Sequence, residues 1–489
     1  FLVALRNLFK HKLYSLINIG GLAIGLTAVI LIALFVRYET SYDEHWDNAD
    51  TVYRADVTFN VPGRAPMQMA ETPGPLAPTM AREMSGIVKA ASRLLRDCFE
   101  IKHEENKFNE CADFVDANFF ELLNFEVVAG NADLALANNR SIMIAESVAL
   151  KYFGSQDVIG QTLIMDETPY TVVAIMKNLP PNSHINSDMI GLLDENKYGE
   201  DLQYWTNTNA NTYFMLEDGL DIEDVVKLVP EFVGKNVDFN LPGLENMKAS
   251  ELMSLGFSRL SDIHLEATMQ GNMVPPGNAM LVYTFIGVAA LVLLIATINF
   301  MNLSTARATQ RAREVSMRKV MGASRGQLIT QFLGESLMMT LFGLVLAVIL
   351  VELLLPGYNM LLGKQLTFSL IDDISMLLSL LGLAFVIGIF GGLYPAFVLS
   401  SFRPALVLHS NKSSMGGSMM FRNILVLVQF SITIGLMIVT GVMYGQTVYA
   451  TNMDKGYASE NRVVIRGITR DELKEKMTSI RTELLNVPG

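Results

Sequence analysis

The chain has 489 residues, of which 51% are hydrophobic and 18% charged, and its mean hydropathy is +0.32. Because soluble domains carry about 25% charged residues, this composition indicates membrane segments. Residues 37–278 hold 17 Lys and Arg against 38 Asp and Glu, while the remainder of the chain is net basic, and this segregation excludes a nucleic-acid binder, which needs a basic face for phosphate.

The N-terminal residues combine an amphipathic start with a long apolar run. Residues 1–14 place leucines on one face and Lys and Arg elsewhere, which predicts an interfacial helix on the cytoplasmic side. Residues 15–36 form the first predicted span, because the apolar run is too long for a cleavable signal peptide. Gly21 and Gly25 form a small-xxx-small pattern that either admits a close neighbouring helix or reflects the abundance of Gly in membrane helices.

Residues 37–278 have soluble character and alternate between strand-like and helix-like patterns. Ser141–Ala145 is predicted to be a strand, followed by a short helix that Ser147 caps and Gly154 ends. Mixed strands and helices over this length predict an α+β domain, inserted between the first and second spans.

The two cysteines, Cys98 and Cys111, lie in this acidic domain. A disulfide between them is allowed if the domain is extracytoplasmic, and two free buried thiols are the alternative. Their spacing does not predict a metal site, and none is expected elsewhere.

Four further spans are predicted after the soluble domain, so that the chain is an α-helical membrane protein with about five spans. Pro356 is expected to break the third span, and Pro395 to kink or end the fourth. The last segment is soluble again and opens a second extracytoplasmic domain. The predicted spans are residues 279–302, 328–355, 374–399 and 423–446, with loops at 303–327 and 400–422 and a soluble segment at 447–489.

Orientation follows from the Lys and Arg of the short loops, which favour the cytoplasm. The 303–327 loop carries six basic residues against a single acid, and the N-terminal segment and the 400–422 loop are also basic. The large acidic domain is therefore expected outside the cytoplasm. Residues 422–489 repeat the order basic start, span and soluble segment, so we interpret the chain as one four-span unit and the opening of a second, within a longer protein.

The 303–327 loop has a defined helix stop and restart. Arg311 to Met321 fits a short helix in which Glu314 can pair with Arg318. Gly322 suits the position after the helix, and Ser324 with Gln327 forms a capping box that opens the third span. One interpretation is a basic loop that only sets topology. The other, which the stop and restart favour, is a mechanical element by which something outside the chain moves the membrane helices.

Enzyme chemistry is not predicted. The nearest match to a phosphate-binding loop, Gly357 to Gln365, has one residue too many, lacks the Ser or Thr and lies outside the cytoplasm. The six histidines are scattered. Glu335 lies about two turns inside the third span, where an ionisable group is either functional or reaches the interface by snorkelling.

Several segments, in order, resemble the permease subunit of MacB/FtsX-like, macrolide-exporter-type ABC transporters in its long duplicated form. FVRYETSYDEHWDNADTVYRAD (35–56) resembles the family's exit from the first span into its periplasmic core domain, and FFELLNFEVVAG (119–130) and NLPPNSH (178–184) resemble landmarks of that domain. LSDIHL (260–265) resembles the return to the membrane, and the segment 298–336 resembles the signature after the second span.

The resemblance implies a permease that couples ATP hydrolysis by a separate cytoplasmic ATPase, present in two copies, to export or release of a periplasmic or membrane-derived drug, peptide or lipoprotein. ATP and Mg²⁺ would be bound by that partner, and this chain would hold no cofactor. A periplasmic adaptor and a bacterial inner-membrane location are also implied. The alternatives are a non-transporting, FtsX-like regulator of a periplasmic enzyme and a membrane-anchored sensor. The implied ATPase-coupling residues are Arg311, Arg313, Glu314, Val315, Met317, Arg318, Lys319 and Val320.

Overall fold

The computed structural model describes residues 12–103, 106–239, 247–266, 269–310, 312–370, 373–401, 416–454 and 476–486. Its first helix, α1 (Lys12–Thr40), is continuous and longer than the predicted span. The predicted interfacial helix falls largely outside the described residues, but its last three residues, Lys12 to Tyr14, belong to α1 itself. This part of the prediction was wrong, since nothing in KLYSL interrupts helix propagation.

A soluble domain follows α1 and is built on one mixed sheet. Its central order is β12-β1-β11-β4-β5-β10-β7-β9-β6, with β2, β3 and β8 attached at its sides. Most neighbouring strands are antiparallel, but β10 pairs with β5, and β7 with β9, in parallel. The strands are β1 (Val52–Phe59), β2 (Met67–Met69), β3 (Thr72–Pro73), β4 (Val88–His103), β5 (Asn106–Val115), β6 (Val127–Gly130), β7 (Ser141–Ala145), β8 (Thr162–Met165), β9 (Thr168–Met176), β10 (Met189–Leu192), β11 (Thr208–Leu216) and β12 (Met253–Arg259).

Short helices cover the sheet, and two groups of buried apolar side chains fill the domain. One core surrounds β4, β5, β7 and β9, and the other lies around β1, β11 and β12. The α+β class is therefore confirmed. The helices are α2 (Leu76–Glu83), α3 (Phe119–Leu122), α4 (Glu146–Phe153), α5 (Glu195–Leu202), α6 (Ile222–Val226), α7 (Val229–Asn236), α8 (Ala249–Leu252) and α9 (Ile263–Glu266).

Two local predictions in this domain have different outcomes. Gly154 ends α4 in the left-handed conformation, with φ +67°, as its position predicted. The cap at Ser147 was wrong, because α4 begins at Glu146 and Ala145 is its N-cap. Ser147 instead donates its backbone N–H to Asn178 Oδ1 at 3.0 Å.

Cys98 and Cys111 lie directly opposite each other on β4 and β5 and form a disulfide. Their Cα atoms are 3.9 Å apart. Because such bonds persist in oxidising compartments, the pair agrees with a domain outside the cytoplasm.

After the soluble domain, three long helices return across the membrane with one short helix between them. They are α10 (Ala279–Gln310), α11 (Ala312–Val320), α12 (Arg325–Leu362) and α13 (Ile374–Ser401). Buried apolar side chains of α1, α10, α12 and α13 form one core, to which Leu26, Phe300, Ala347 and Ala384 contribute.

These helices extend beyond several predicted boundaries. The helix α10 passes residue 302 because STARATQ contains no Gly or Pro to stop it. The break at Pro356 was wrong: α12 continues to Leu362 and ends at Gly363, with φ +62°. Of the two outcomes expected at Pro395, a kink or a helix end, the end does not occur, since α13 continues to Ser401. Membrane helices tolerate an internal Pro because neighbouring helices and side chains satisfy the freed backbone groups.

The remaining described residues form a separate unit, beginning at Met420. It contains most of α14 (Gly416–Asn452), the fifth helix long and apolar enough to span a membrane in the described part of the chain, and α15 (Met477–Asn486). Because α14 starts at Gly416, the prediction of a loop up to residue 422 was wrong.

Candidate functional site

The short helix α11 is joined to α12 by a turn with hydrogen bonds on both sides. Gly322 adopts φ +97°, and Ala323 N donates to Arg318 O at 3.0 Å, which closes the end of α11. Ser324 Oγ accepts from Gln327 N at 3.3 Å, and Gln327 Oε1 accepts from Ser324 N at 3.0 Å. The predicted stop and capping box therefore both form, and they fix the direction in which α12 starts.

One face of α11 packs on the membrane helices. Val315 is 2% exposed and lies in a cluster with Leu328 and Phe332 of α12 and Ala396 of α13. We call α11, the start of α12 and the end of α13 the short-helix corner. The apolar side chains of the corner therefore pack α11 directly against both longer helices.

Polar side chains add a second set of contacts at the short-helix corner. Arg318 Nη1 donates to Gln331 Oε1 at 2.8 Å, and Gln331 Nε2 donates to Glu335 Oε1 at 3.1 Å. Glu335 is 8% exposed, so its carboxylate is buried among protein side chains. A chain of hydrogen bonds therefore runs from α11 into the membrane-embedded part of α12.

The basic residues of the corner also bind the end of α13. Lys319 Nζ donates to the carbonyl oxygen of Ser400 at 2.6 Å, and Arg325 Nε donates to Ser400 Oγ at 3.2 Å. Burial, together with the nearby Arg325 charge, lowers the pKa of Lys319. Lys319 and Arg325 thus hold the end of α13 in place, which is a structural role in addition to setting the orientation of the chain in the membrane.

The opposite face of α11 and its C-terminal end are apolar and exposed. Met317 is 59% exposed, Val320 67% and Met321 75%. A cavity of about 460 Å³ lies beside them, lined by Met321, Gly322, Leu328 and neighbouring polar residues. Exposed apolar side chains beside a hollow are typical of a protein docking site. Arg311 and the side chains of Arg313 and Glu314, including the predicted Glu314–Arg318 pair, lie outside what the structure describes.

At the other end of the bundle, Glu39 holds together four segments of the chain. It is 4% exposed; its Oε2 lies 3.0 Å from His264 Nε2 of α9, and its Oε1 lies 2.8 Å from Lys364 Nζ, just after α12. The ring of Tyr42 stacks on His264 with centroids 3.3 Å apart. Gly277, before α10, packs against the Glu39–His264 pair. We call these five residues the Glu39 junction.

A second buried pair fixes the chain just after α1. Asp43, with φ +63°, accepts from His184 N at 3.0 Å and lies 2.9 Å from His184 Nδ1. Burial alone raises the pKa of Asp43, but its contacts with His184 outweigh this and lower the pKa. His184 Nε2 in turn lies 2.9 Å from Tyr213 OH on β11. The end of α1 is thus attached to the soluble domain at two points.

Sequence reasoning did not identify the Glu39 junction, although one signal was present. Glu39 lies three residues beyond the predicted span, and a carboxylate at this position needs a partner if the helix end is buried. The partners His264 and Lys364 are 225 and 325 residues away in the sequence, so only the fold brings them together.

We expect Gly277→Ala to loosen the Glu39 junction. A Cβ there would lie 2.5 Å from His264 Nε2 and 2.8 Å from Glu39 Oε2, so the pair must separate. Overpacking of this kind costs about 1–3 kcal/mol. Thermal unfolding of the full chain in detergent measures the loss. Gly86→Ala is the matched control, because nothing lies within 4 Å of its Cβ position; equal stability of the two variants contradicts the prediction.

Gly21 and Gly25 of α1 lie against α10. A Cβ on Gly25 would lie 2.7 Å from Ala296 Cβ, and one on Gly21 would lie 3.3 Å from Asn299 Nδ2. The close helix contact that the small-xxx-small pattern allows is thus present.

Among the residues that the structure describes, no group of three His, Cys, Asp or Glu side chains could hold a metal ion.

Comparisons with known proteins divide the chain into two familiar parts. Residues 15–232 match the MacB-like periplasmic core domain, and residues 286–404 match the FtsX-like permease C-terminal family. The first match contains α1 and most of the soluble domain, and the second contains the short-helix corner. Both parts of the described architecture therefore have family counterparts.

Whole-chain relatives are distant. The chain is 23% identical over 428 residues to the uncharacterized ABC transporter permease YvrN of Bacillus subtilis, covering 82% of this chain and 97% of that protein. It is 21% identical over 420 residues to the macrolide export ATP-binding/permease protein MacB of Pasteurella multocida, covering 83% of this chain and 60% of that one. A solved permease domain from Porphyromonas gingivalis is 22% identical, with a TM-score of 0.38, and covers 44% of this chain and 91% of that domain.

Proposed function

Since the chain belongs to the MacB/FtsX-like family of ABC transporter permeases, we propose that it is the membrane subunit through which a separate cytoplasmic ATPase moves a periplasmic domain. The ATPase, in two copies, would bind ATP and Mg²⁺ and dock on α11 in the bacterial inner membrane. The movement drives export or release of a periplasmic or membrane-derived substrate.

The observation that carries this proposal is the uninterrupted helix between the two candidate sites. The helix α12 contains 38 residues and is about 57 Å long at 1.5 Å per residue. It starts at the Ser324 cap of the short-helix corner, and Lys364, two residues after its end, contacts Glu39. One rigid helix therefore connects the short-helix corner, which carries the exposed apolar face of α11, to the Glu39 junction at the start of the periplasmic domain.

The free energy for movement has to come from differential binding. An ATPase that changes shape on binding ATP favours one position of α11, and the packed corner passes this preference to α12 and α13. At the other end, the Glu39–Lys364 and Glu39–His264 contacts transmit it to α1 and α9.

The experiment is hydrogen–deuterium exchange on the full chain, purified with its ATPase in lipid nanodiscs. We expect ATP to change amide protection in residues 253–266, which contain β12 and α9, because this part of the soluble domain includes His264 of the Glu39 junction. A non-hydrolysing ATPase variant is the control. If no ATPase associates with the chain, or if ATP leaves protection in this segment unchanged, the proposal is wrong.

Transport and regulation of a periplasmic enzyme use the same movement and differ in what the periplasmic domain contacts. The sensitivity of a deletion strain to exported toxins distinguishes the two roles: loss of a transporter raises this sensitivity, whereas loss of a regulator leaves it unchanged. A periplasmic adaptor that copurifies with the chain supports export.

A further inference from the structure

A groove with a volume of about 850 Å³ lies where α1 leaves the membrane. Its walls come from the end of α1, from the loop 180–182 of the soluble domain, and from residues 365–367, Ser369, Asp373 and Met376, which follow α12. The volume lies within the range of about 300–1,000 Å³ that is typical of small-molecule sites. The groove is distinct from the docking face on α11, which lies at the other end of α12.

The lining of the groove changes from apolar to polar. Leu34, Leu366 and Met376 supply apolar surface. Leu34 lies inside the apolar run of α1, whereas Arg37 follows that run directly, so the groove crosses the level of the membrane surface. The remaining lining is polar or consists of prolines: Arg37, Tyr38, Ser41, Pro180, Pro181, Asn182, Gln365, Thr367, Ser369 and Asp373.

The polar end of the groove carries no net charge. Its cation, Arg37, forms an ion pair with Asp373, and Arg37 Nη1 donates to Asp373 Oδ2. Hydrogen bonds to Met376 N and Ser375, together with Arg37, lower the pKa of Asp373 to about 2, so the carboxylate stays ionised and paired. A phosphate headgroup therefore finds no uncompensated cation, while Asn182 and Gln365 offer amide groups.

We propose that this groove binds an uncharged amphiphile from the outer leaflet, with its apolar chain against Leu34, Leu366 and Met376 and an amide- or hydroxyl-bearing head at Asn182 and Gln365. Apolar burial supplies affinity, and the polar end selects the head because an unpaired charge is costly there.

The groove is part of the connection between the membrane helices and the periplasmic domain. Tyr38 OH donates to Pro181 O at 2.9 Å, and Asn182 Nδ2 donates to Ser41 O at 2.7 Å. Any movement of the domain relative to α1 therefore changes the shape of the groove. That the bound amphiphile is a transported substrate rests on the proposed function, whereas binding itself requires neither ATP nor the ATPase.

The test is equilibrium binding of tritiated N-palmitoyl glycinamide to the full chain in phosphatidylcholine nanodiscs, with partition into empty nanodiscs subtracted. We expect saturable binding that Met376→Trp weakens by about tenfold, because the larger ring fills the apolar end. Leu378→Trp is the matched control: it adds the same ring two residues further along α13, at a side chain that is 62% exposed and outside the groove.

Several outcomes overturn the proposal. Absence of saturable binding does so, as does equal binding by the Met376→Trp and wild-type chains. Equal, Met376-dependent binding of palmitoyl-lysophosphatidylcholine overturns the assignment of an uncharged head and identifies the occupant as a bilayer phospholipid. ATPase association is measured on the same samples. If no ATPase associates while the groove binds the amide as expected, the proposed function is wrong and the proposed binding site is supported.

Discussion

Val320→Glu/Met321→Glu is expected to abolish stable association with the ATPase. Val320 is 67% exposed and Met321 75%, so neither residue contributes much to packing within the folded chain. A docked partner would bury them, and carboxylates in that contact must be desolvated without a partner. We expect affinity to fall by at least about a hundredfold, which corresponds to roughly 2.7 kcal/mol. Titration of the purified ATPase into nanodiscs that hold the chain measures this.

The matched control for this variant is Met360→Glu/Leu361→Glu. These are also two adjacent exposed apolar residues, 85% and 81% exposed, but they lie at the opposite end of α12. The control should leave ATPase affinity unchanged, and both variants should elute as monodisperse protein. If the Val320/Met321 variant binds the ATPase normally, the ATPase does not dock on this face of α11.

Gly25→Ile is expected to separate α1 from α10 and to destabilise the bundle. The Cβ of any larger residue would lie 2.7 Å from Ala296 Cβ, and an isoleucine adds three more carbons in the same place. Neither helix backbone can yield without breaking the core around Leu22 and Leu26. The cost is about 3 kcal/mol or more, at the upper end of overpacking effects. Thermal loss of monodisperse protein on size-exclusion chromatography reports it.

Gly20→Ile provides the comparison within the same helix. Nothing lies within 4 Å of its Cβ position, so the added side chain faces open space. It should unfold at nearly the wild-type temperature, and in a membrane it adds apolar surface toward lipid. Equal losses from both substitutions would show that glycine in α1 serves backbone freedom and not the close approach to α10.

The class of the protein and the order of its parts were predictable because they depend on local composition. Apolar runs predict spans at any distance from their partners, and the Lys and Arg bias orients them. The turn at Gly322 and the capping box at Ser324 were predictable for the same reason: the residues that interact are at most four or five positions apart. Local signals of this kind do not need the fold.

The boundaries and the Glu39 junction depend on contacts that sequence patterns do not contain. Pro356 is expected to end a helix in water, but membrane helices tolerate an internal proline, and α12 continues past it. Glu39 reads as a solvated carboxylate at a helix end, yet it is buried by partners from α9 and the loop after α12.

The separation of α1 from the helices it packs against has a consequence for biosynthesis. Roughly 240 residues of exported domain lie between the end of α1 at Thr40 and the start of α10 at Ala279, and at about 5–20 residues per second a ribosome needs roughly 12–50 seconds to make them. During this interval Asn18 and Thr27, both buried in the finished bundle, have no partner helix in the bilayer. The nascent chain therefore passes through a stage in which α1 has been made but the helices against which it packs, α10 and α12, have not.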